Sequence, residues 1–241
     1  MVDRATRFLQ AFNQIEQELR GRVERRETDP KHLSFPMLLE RSPELTERQV
    51  DRLRSFADLR NAIVHNPRDI DDEVIADPRE SAVEWLEKQV QIILDPPLVR
   101  QVLALRKPTV LRSSDDLGEF LQIVREKEYS QVPVQDEDGA LHLVTTNTVT
   151  RWLAGEYITG TGAAIEHVGL TEIHRFAEDC DELVLRPRNL QAAEAVRIFA
   201  GQEGRNAPAA IVLTEHGKDH QTPLGICSQS DVARLLHALA V

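Results

Sequence analysis

Three polar side chains close one long apolar-striped segment of this 241-residue chain: Arg60, Asn61 and His65, in the string Arg60-Asn61-Ala62-Ile63-Val64-His65. Asn61 and His65 are four apart, so on a helix they share a face and can touch. An amide there can bond one imidazole nitrogen and fix the tautomer at the other. Arg60 adds a fork of donors suited to phosphate. A cation, a steering amide and a group that titrates near neutral pH suit cleavage of a phosphodiester by the RNA's own 2′-hydroxyl. His65 would serve as base or acid, and Arg60 would hold the charge that grows on phosphorus. The same residue types also suit an ordinary helix end, where a histidine complements the dipole.

A second set of chemistry-bearing residues lies on an internal repeat. Leu143-Val144-Thr145-Thr146-Asn147-Thr148 aligns with Ile226-Cys227-Ser228-Gln229-Ser230-Asp231. Each copy reads as an apolar strand, a hydroxyl residue, and a polar residue three places on that opens a helix. A long-period repeat implies one supersecondary unit used twice. A strand that runs into a hydroxyl-capped helix start can receive a phosphate or a sugar. It can equally be a plain helix cap, with Asp231 completing a capping-box start behind Ser228.

The elements that must position these residues fall into two regions. Before residue 98 the pattern is helical: Phe8, Phe12, Ile15, Leu19 and Val23 recur at steps of three and four. Phe35 to Leu39 is a short apolar piece, and Ser42-Pro43-Glu44 reads as the cap of a second long helix through Leu45, Val50, Leu53, Phe56, Leu59, Ile63 and Val64. A last helix runs from Glu80 through Val83, Leu86, Val90 and Ile93 to Leu94. Asp95-Pro96-Pro97 is a rigid break. A small bundle of three or four helices is expected.

After the break the order β-α-β-β-α appears twice. In copy one the strands are Thr109–Arg112, Tyr129–Val134 and Leu141–Val144, with a helix capped by Ser113 to Asp116 and a turn at Asp136-Glu137-Asp138-Gly139. In copy two they are Leu183–Arg186, Pro208–Leu213 and Leu224–Cys227, with helices over Leu190–Phe199 and Ser228–Leu239. Thr159-Gly160-Thr161-Gly162 reads as a flexible linker, since no strand precedes it and no Lys follows. The fold class expected is therefore α plus α/β and multidomain, divided at 1–95 and 96–241, with copies at about 105–155 and 180–241.

Both regions resemble known families. The RNAIVH string, together with Phe12-Asn13-Gln14-Ile15-Glu16 on the first helix, resembles the HEPN family (higher eukaryotes and prokaryotes nucleotide-binding helical domains) and its RN-x-x-x-H motif over residues 3–95. That resemblance implies a metal-independent ribonuclease acting as a homodimer, with Arg60, Asn61 and His65 in the cleft and no cofactor required. The doubled unit and its Pro-Leu-Gly-Ile-Cys-Ser-Gln-Ser-Asp string resemble a tandem pair of cystathionine-β-synthase (CBS) domains over residues 99–241. That resemblance implies an adenosine nucleotide (AMP, ADP or ATP) as regulatory ligand. The Ser/Thr position would lie by the phosphate and an Asp would accept from the ribose hydroxyls. Ser228 and Asp231 match both positions; Thr145 matches the first, and Thr148 stands where copy one would need the Asp.

Bulk properties bound the rest. The net charge is −11, split about evenly along the chain, so a broad basic face for nucleic acid is disfavoured. The one basic cluster, Arg20-Gly21-Arg22-Val23-Glu24-Arg25-Arg26, could track an RNA backbone or simply end a helix. Two cysteines without metal-ligand spacing fit a reduced, cytoplasmic chain. No apolar run is long enough to span a bilayer. His216 and His220 fit a surface loop better than a metal site, and no partner is evident for His142, His167, His174 or His237. The expectation is an adenine-nucleotide-regulated, HEPN-type ribonuclease. Its alternative is a non-catalytic regulatory protein whose helical part is a dimerisation or partner-binding scaffold.

Overall fold

Five apolar residues at helical spacing become the buried stripe of α1 (Arg4–Arg26): Phe8, Phe12, Ile15, Leu19 and Val23 are each at most 2% exposed. The computed structural model describes residues 3–26, 33–65, 76–159, 167–201 and 206–239, with the backbone only at His65 and Thr159. After α1 come α2 (Phe35–Glu40), α3 (Glu47–His65) and α4 (Glu80–Leu94). Their core gathers Leu38, Leu39, Leu53, Val83, Leu86 and Ile93 around the α1 stripe. Phe8 meets Phe56 edge-on at 5.5 Å, and Phe12 meets Phe35 at 4.6 Å.

The start of α3 differs from the expectation at Ser42-Pro43-Glu44. Thr46 is the capping residue: its N–H donates to Gln49 Oε1 at 2.9 Å, and Gln49 N–H donates back to Thr46 Oγ1 at 3.3 Å. A Thr followed three places on by Gln satisfies two orphan helix donors reciprocally, which Ser42 cannot do four residues too early. The Ser42 hydroxyl instead donates to Leu38 O at 2.7 Å, closing α2. Leu45 and Val50 fill the apolar positions that flank such a cap and join the same core.

The chain divides into two compact units: residues 1–98 with 191–196 and 233–241, and residues 99–190 with 197–232. The second holds α5 (Val99–Val102), β1 (Leu111–Arg112), α6 (Leu117–Lys127), β2 (Gln131–Gln135), β3 (Leu141–Thr145), α7 (Thr146–Thr159), α8 (Leu170–His174) and β4 (Leu183–Pro187). Then follow α9 (Ala192–Ala200), β5 (Ala210–Thr214), β6 (Gly225–Ser228) and α10 (Val232–Ala238), the two helices divided between the units.

The two sheets have one topology. β1 runs parallel to β2, and β2 antiparallel to β3; β4 runs parallel to β5, and β5 antiparallel to β6. The register also agrees: Thr145 pairs with Gln131, and Ser228 pairs with Ala210, each as the last pair of its hairpin. The strands therefore deliver the two hydroxyl residues to equivalent sheet corners. Gly139 takes φ +87° in the first hairpin turn, a conformation glycine adopts at little cost. The short helices α5 and α8 were not expected, being too brief for periodicity to show. The closing helix opens with a 3₁₀ turn at Gln229–Asp231 before α10. No helix among the described residues is long and apolar enough to cross a membrane. Of the expected linker Thr159–Gly162, Thr159 is the last residue of α7 and the other three lie outside the described residues.

Candidate functional site

At the end of β6, Ser228 and Asp231 lock the turn into the last helix. Ser228 N–H donates to Asp231 Oδ2 at 3.0 Å, and the Ser228 side chain takes the Asp231 backbone N–H, a reciprocal capping box. The Ser228 and Ser230 hydroxyls lie 2.7 Å apart. Beside them Cys227 is buried, and its thiol is pushed up to about 12, first by burial and then by the charge of Asp231. An un-ionised thiol of that kind is a wall, not a nucleophile.

These residues line one side of an open cleft of about 230 Å³. Ile226, Cys227, Ser228, Ser230 and Asp231 come from copy two; Glu128, Tyr129, Ser130 and Gln131 come from the α6–β2 connection of copy one. Tyr129, 47% exposed, brings the one aromatic side chain among the described lining residues. Glu128 sits in the left-handed region at φ +56° as the cap of α6. Hydroxyls, a carboxylate and an isoleucine on one wall, with an aromatic residue on the other, can recognise a planar group joined to a diol. Only Ser228 and Asp231 were expected here. The copy-one wall was read as strand alone, and its approach to β6 depends on contacts between residues about a hundred apart.

The equivalent corner of copy one is closed. Thr145 is 6% exposed and Thr148 is fully buried. Thr148 N–H donates to Thr145 Oγ1 at 3.0 Å, so the pair repeats the capping geometry with a hydroxyl in place of the carboxylate. Asp181 supplies the charge that position 148 lacks: Thr145 Oγ1 donates to Asp181 Oδ1 at 2.7 Å, and Arg151 forms an ion pair with the same carboxylate. The expectation that Thr145 and Thr148 line a second nucleotide site meets this finding. Their hydroxyls face inward and are bonded to protein, because a side chain from the inter-copy segment fills the corner.

In the helical unit, Arg60 Nη1 donates to Asn61 Oδ1 at 3.2 Å, and Arg60 Nε is buried with no hydrogen-bond partner among the described residues. The side chain of His65 lies outside the described residues, so the third member of the expected trio is not placed against the other two. The basic cluster is not a free cationic stripe. Arg20 pairs with Glu16 at 2.8 Å, Arg22 with Glu18 at 2.8 Å and Glu44 at 3.4 Å, and Arg26 with Glu44 at 3.1 Å. His142 and His174, for which no partner was evident in sequence, lie against each other with ring centres 3.9 Å apart and planes tilted by 34°. Burial, and then the neighbouring His174, hold the His142 imidazole below its ordinary value, against the pull of Asp136 at 3.3 Å. Among the described residues no group of three or more His, Cys, Asp or Glu is placed to hold a metal.

Residues 99–155 match the family model of the CBS domain. No curated relative matches the chain. Among solved structures, the CBS domain of a CBS domain-containing membrane protein from Sphaerobacter thermophilus is 18% identical over 58% of this chain and 88% of its own, with a TM-score of 0.41. The CBS domain pair of protein MJ0100, in complex with 5′-methylthioadenosine and S-adenosyl-L-methionine, is 16% identical over 59% of this chain and 97% of its own, TM-score 0.43. CBSX2 in complex with AMP is 12% identical over 58% and 98%, TM-score 0.39. A helical N-terminal region thus precedes an α/β region of CBS type with two small sheets.

Proposed function

We propose that this chain is a regulatory binding protein. Its CBS region takes an adenosine-type ligand in the cleft beside Ser228 and Asp231, and its helical unit serves as a dimerisation or partner-binding scaffold. One observation carries the reading: of two corners built to the same register, one is stoppered by Asp181 and Arg151, and the other opens into a cleft that a small ligand can enter. Asp231 is the residue type that a ribose diol needs, since a carboxylate accepts at two oxygens. The adenosine class follows from the CBS family rather than from any base-reading contact.

The RNA-cleaving alternative draws less support. Arg60 donates to Asn61, and Arg20, Arg22 and Arg26 at the end of α1 pair with glutamates rather than standing free for a phosphate backbone. Cleavage needs both a charge-holding cation and a proton carrier within reach of one phosphate.

The test is a titration of adenosine, AMP and ATP followed by thermal unfolding. A ligand at a hundred times its Kd stabilises the folded state by about 2.7 kcal/mol. The shift is expected with at least one of the three and is expected to vanish in Asp231→Ala. No shift with any of them overturns the sensing reading.

A further inference from the structure

We infer that His142 and His174 form an acid-operated latch on the run from His174 to Asp181, and that its release withdraws Asp181 from Thr145 and opens the first corner as a second ligand place. The latch stands on geometry alone. The ligand place rests on the ligand-sensing reading above and extends it.

Both ends of the run rest on β3. His174, the last residue of α8, sets its ring against His142, with centres 3.9 Å apart. Asp181 takes the Thr145 hydroxyl at 2.7 Å. Between these ends the run leans on one side chain of α7. Arg151 donates to the Phe176 carbonyl at 2.9 Å, lies 3.5 Å from the Glu178 carboxylate and pairs with Asp181. The Phe176 ring packs against the copy-one core. The stopper of the corner is thus the far end of a strap whose near end is a pair of imidazoles.

The space suits neutral rings. Nδ1 and Nε2 of His142 and Nδ1 of His174 are buried without hydrogen-bond partners. Asp136, from the β2–β3 turn, stands 3.3 Å from His142 Nδ1 but outside hydrogen-bonding geometry. An imidazolium has two N–H donors and a charge to satisfy, where the neutral ring has one donor and no charge. Burial and His174 both resist a proton on His142, and Asp136 is the acid that acts in its favour. One carboxylate can balance one proton; a second proton sets two cations in ring contact away from water. The elements around the pair carry further charges. Glu172 of α8 accepts from the Trp152 indole at 3.2 Å, and α7 bears Arg151 and Glu156. Arg175 and Asp179 on the strap are exposed, and His220 lies against Gly139 in the Asp136 turn.

Of the two rings, His174 is the one that can leave. His142 stands within β3, paired with Val134 of β2. α8 has only five residues, and its fully buried anchors, Leu170 and Ile173, both precede His174. Release at His174 therefore frees the chain forward, toward Asp181, while the start of α8 stays in the core. Protonation of clustered histidines in mild acid is a general means of switching a packed contact.

The experiment is hydrogen–deuterium exchange of the full chain at pH 7.5 and pH 5.5, read by mass spectrometry and corrected for the intrinsic rate at each pH. Peptides over 174–181 and 143–148 are expected to lose about tenfold in protection at the lower pH, while β5 keeps its own. His174→Phe keeps a ring that takes no proton, and His174→Gln removes the ring; both are expected to abolish the difference. Equal protection at the two pH values in the wild type overturns the latch. So does the same acid loss in both His174 variants. Calorimetric titration of adenosine, AMP and ATP then counts ligand places. The count is expected to rise from near one at pH 7.5 to near two at pH 5.5, and to stay near one in His174→Phe. A count that stays at one while protection falls overturns the second ligand place and leaves the latch standing. No binding at either pH overturns the sensing reading and the ligand place with it, while exchange still decides the latch.

Discussion

Ser228 has two duties at one backbone position: it ends a strand, and its side chain begins a helix. Thr145 has the same two duties in the first repeat, yet the consequences differ because of one neighbour three residues on. Thr148 offers a hydroxyl that folds inward; Asp231 offers a carboxylate at the edge of an open cleft. At this scale the close pair of His142 and His174 makes a pH prediction. The folded state holds the His142 pKa below its ordinary 6.5, so the folded chain binds fewer protons than the unfolded chain at acidic pH. The stability this group contributes is full above about pH 6.5 and is lost as pH falls below it. The unfolding temperature is expected to drop between pH 7 and 5, and to drop less steeply in His142→Gln. Equal slopes in the two proteins would refute it.

At the scale of elements, two buried polar arrangements hold the helices in register. Gln49 Nε2 donates to Gln89 Oε1 at 2.7 Å between α3 and α4, both side chains being buried. Glu44, whose side chain is 8% exposed, receives Arg22 and Arg26 from the end of α1, and Arg22 also reaches the carbonyl of Ile93 on α4. The run of arginines is thus a clamp from α1 onto the α2–α3 turn and the end of α4. Removing the central acid takes the carboxylate partner from Arg26 and one of two from the mostly buried Arg22, which keeps Glu18 and the Ile93 carbonyl, and the burial of Arg22 makes that loss exceed the worth of a surface pair. Glu44→Ala is expected to lower unfolding free energy by about 2–3 kcal/mol, read from the urea midpoint, with a smaller loss in Glu44→Gln. A change within about 0.5 kcal/mol would assign the cluster to the solvated surface instead.

Across the whole molecule, the doubled unit keeps one topology while its two corners differ in packing. Both sheets share strand order and register, but Asp181 and Arg151 fill the first corner. The proposed binding protein therefore has one ligand place per chain rather than two. Calorimetric titration with a saturating adenosine ligand is expected to give a stoichiometry near one. A value near two would show that the Asp181 stopper is displaced by ligand. Such a displacement must break the Thr145–Asp181 hydrogen bond and the Arg151 pair together, and leave a buried carboxylate with the Glu178 N–H as its remaining donor.

The apolar stripe of α1, both β-α-β-β-α units, the helix caps and the Gly139 turn follow from neighbours within about four residues, and local spacing alone determines them. So does the capping relation of Ser228 to Asp231, which lie three residues apart on one turn. The actual cap of α3, Thr46 with Gln49, was equally local; the proline at position 43 drew attention to the wrong turn. The cleft was not legible, because Tyr129 and Asp231 come to line one space only once two separate sheets have packed. Nor was the stopper: nothing in the run Glu178 to Glu182 says that its third acid turns inward to meet Thr145. Burial and pairing of a charge depend on what arrives from distant parts of the chain, since a carboxylate enters a core only where donors already wait for it. Sequence spacing decided which residues could do chemistry; tertiary packing decided which of them still face the solvent, and hence a ligand.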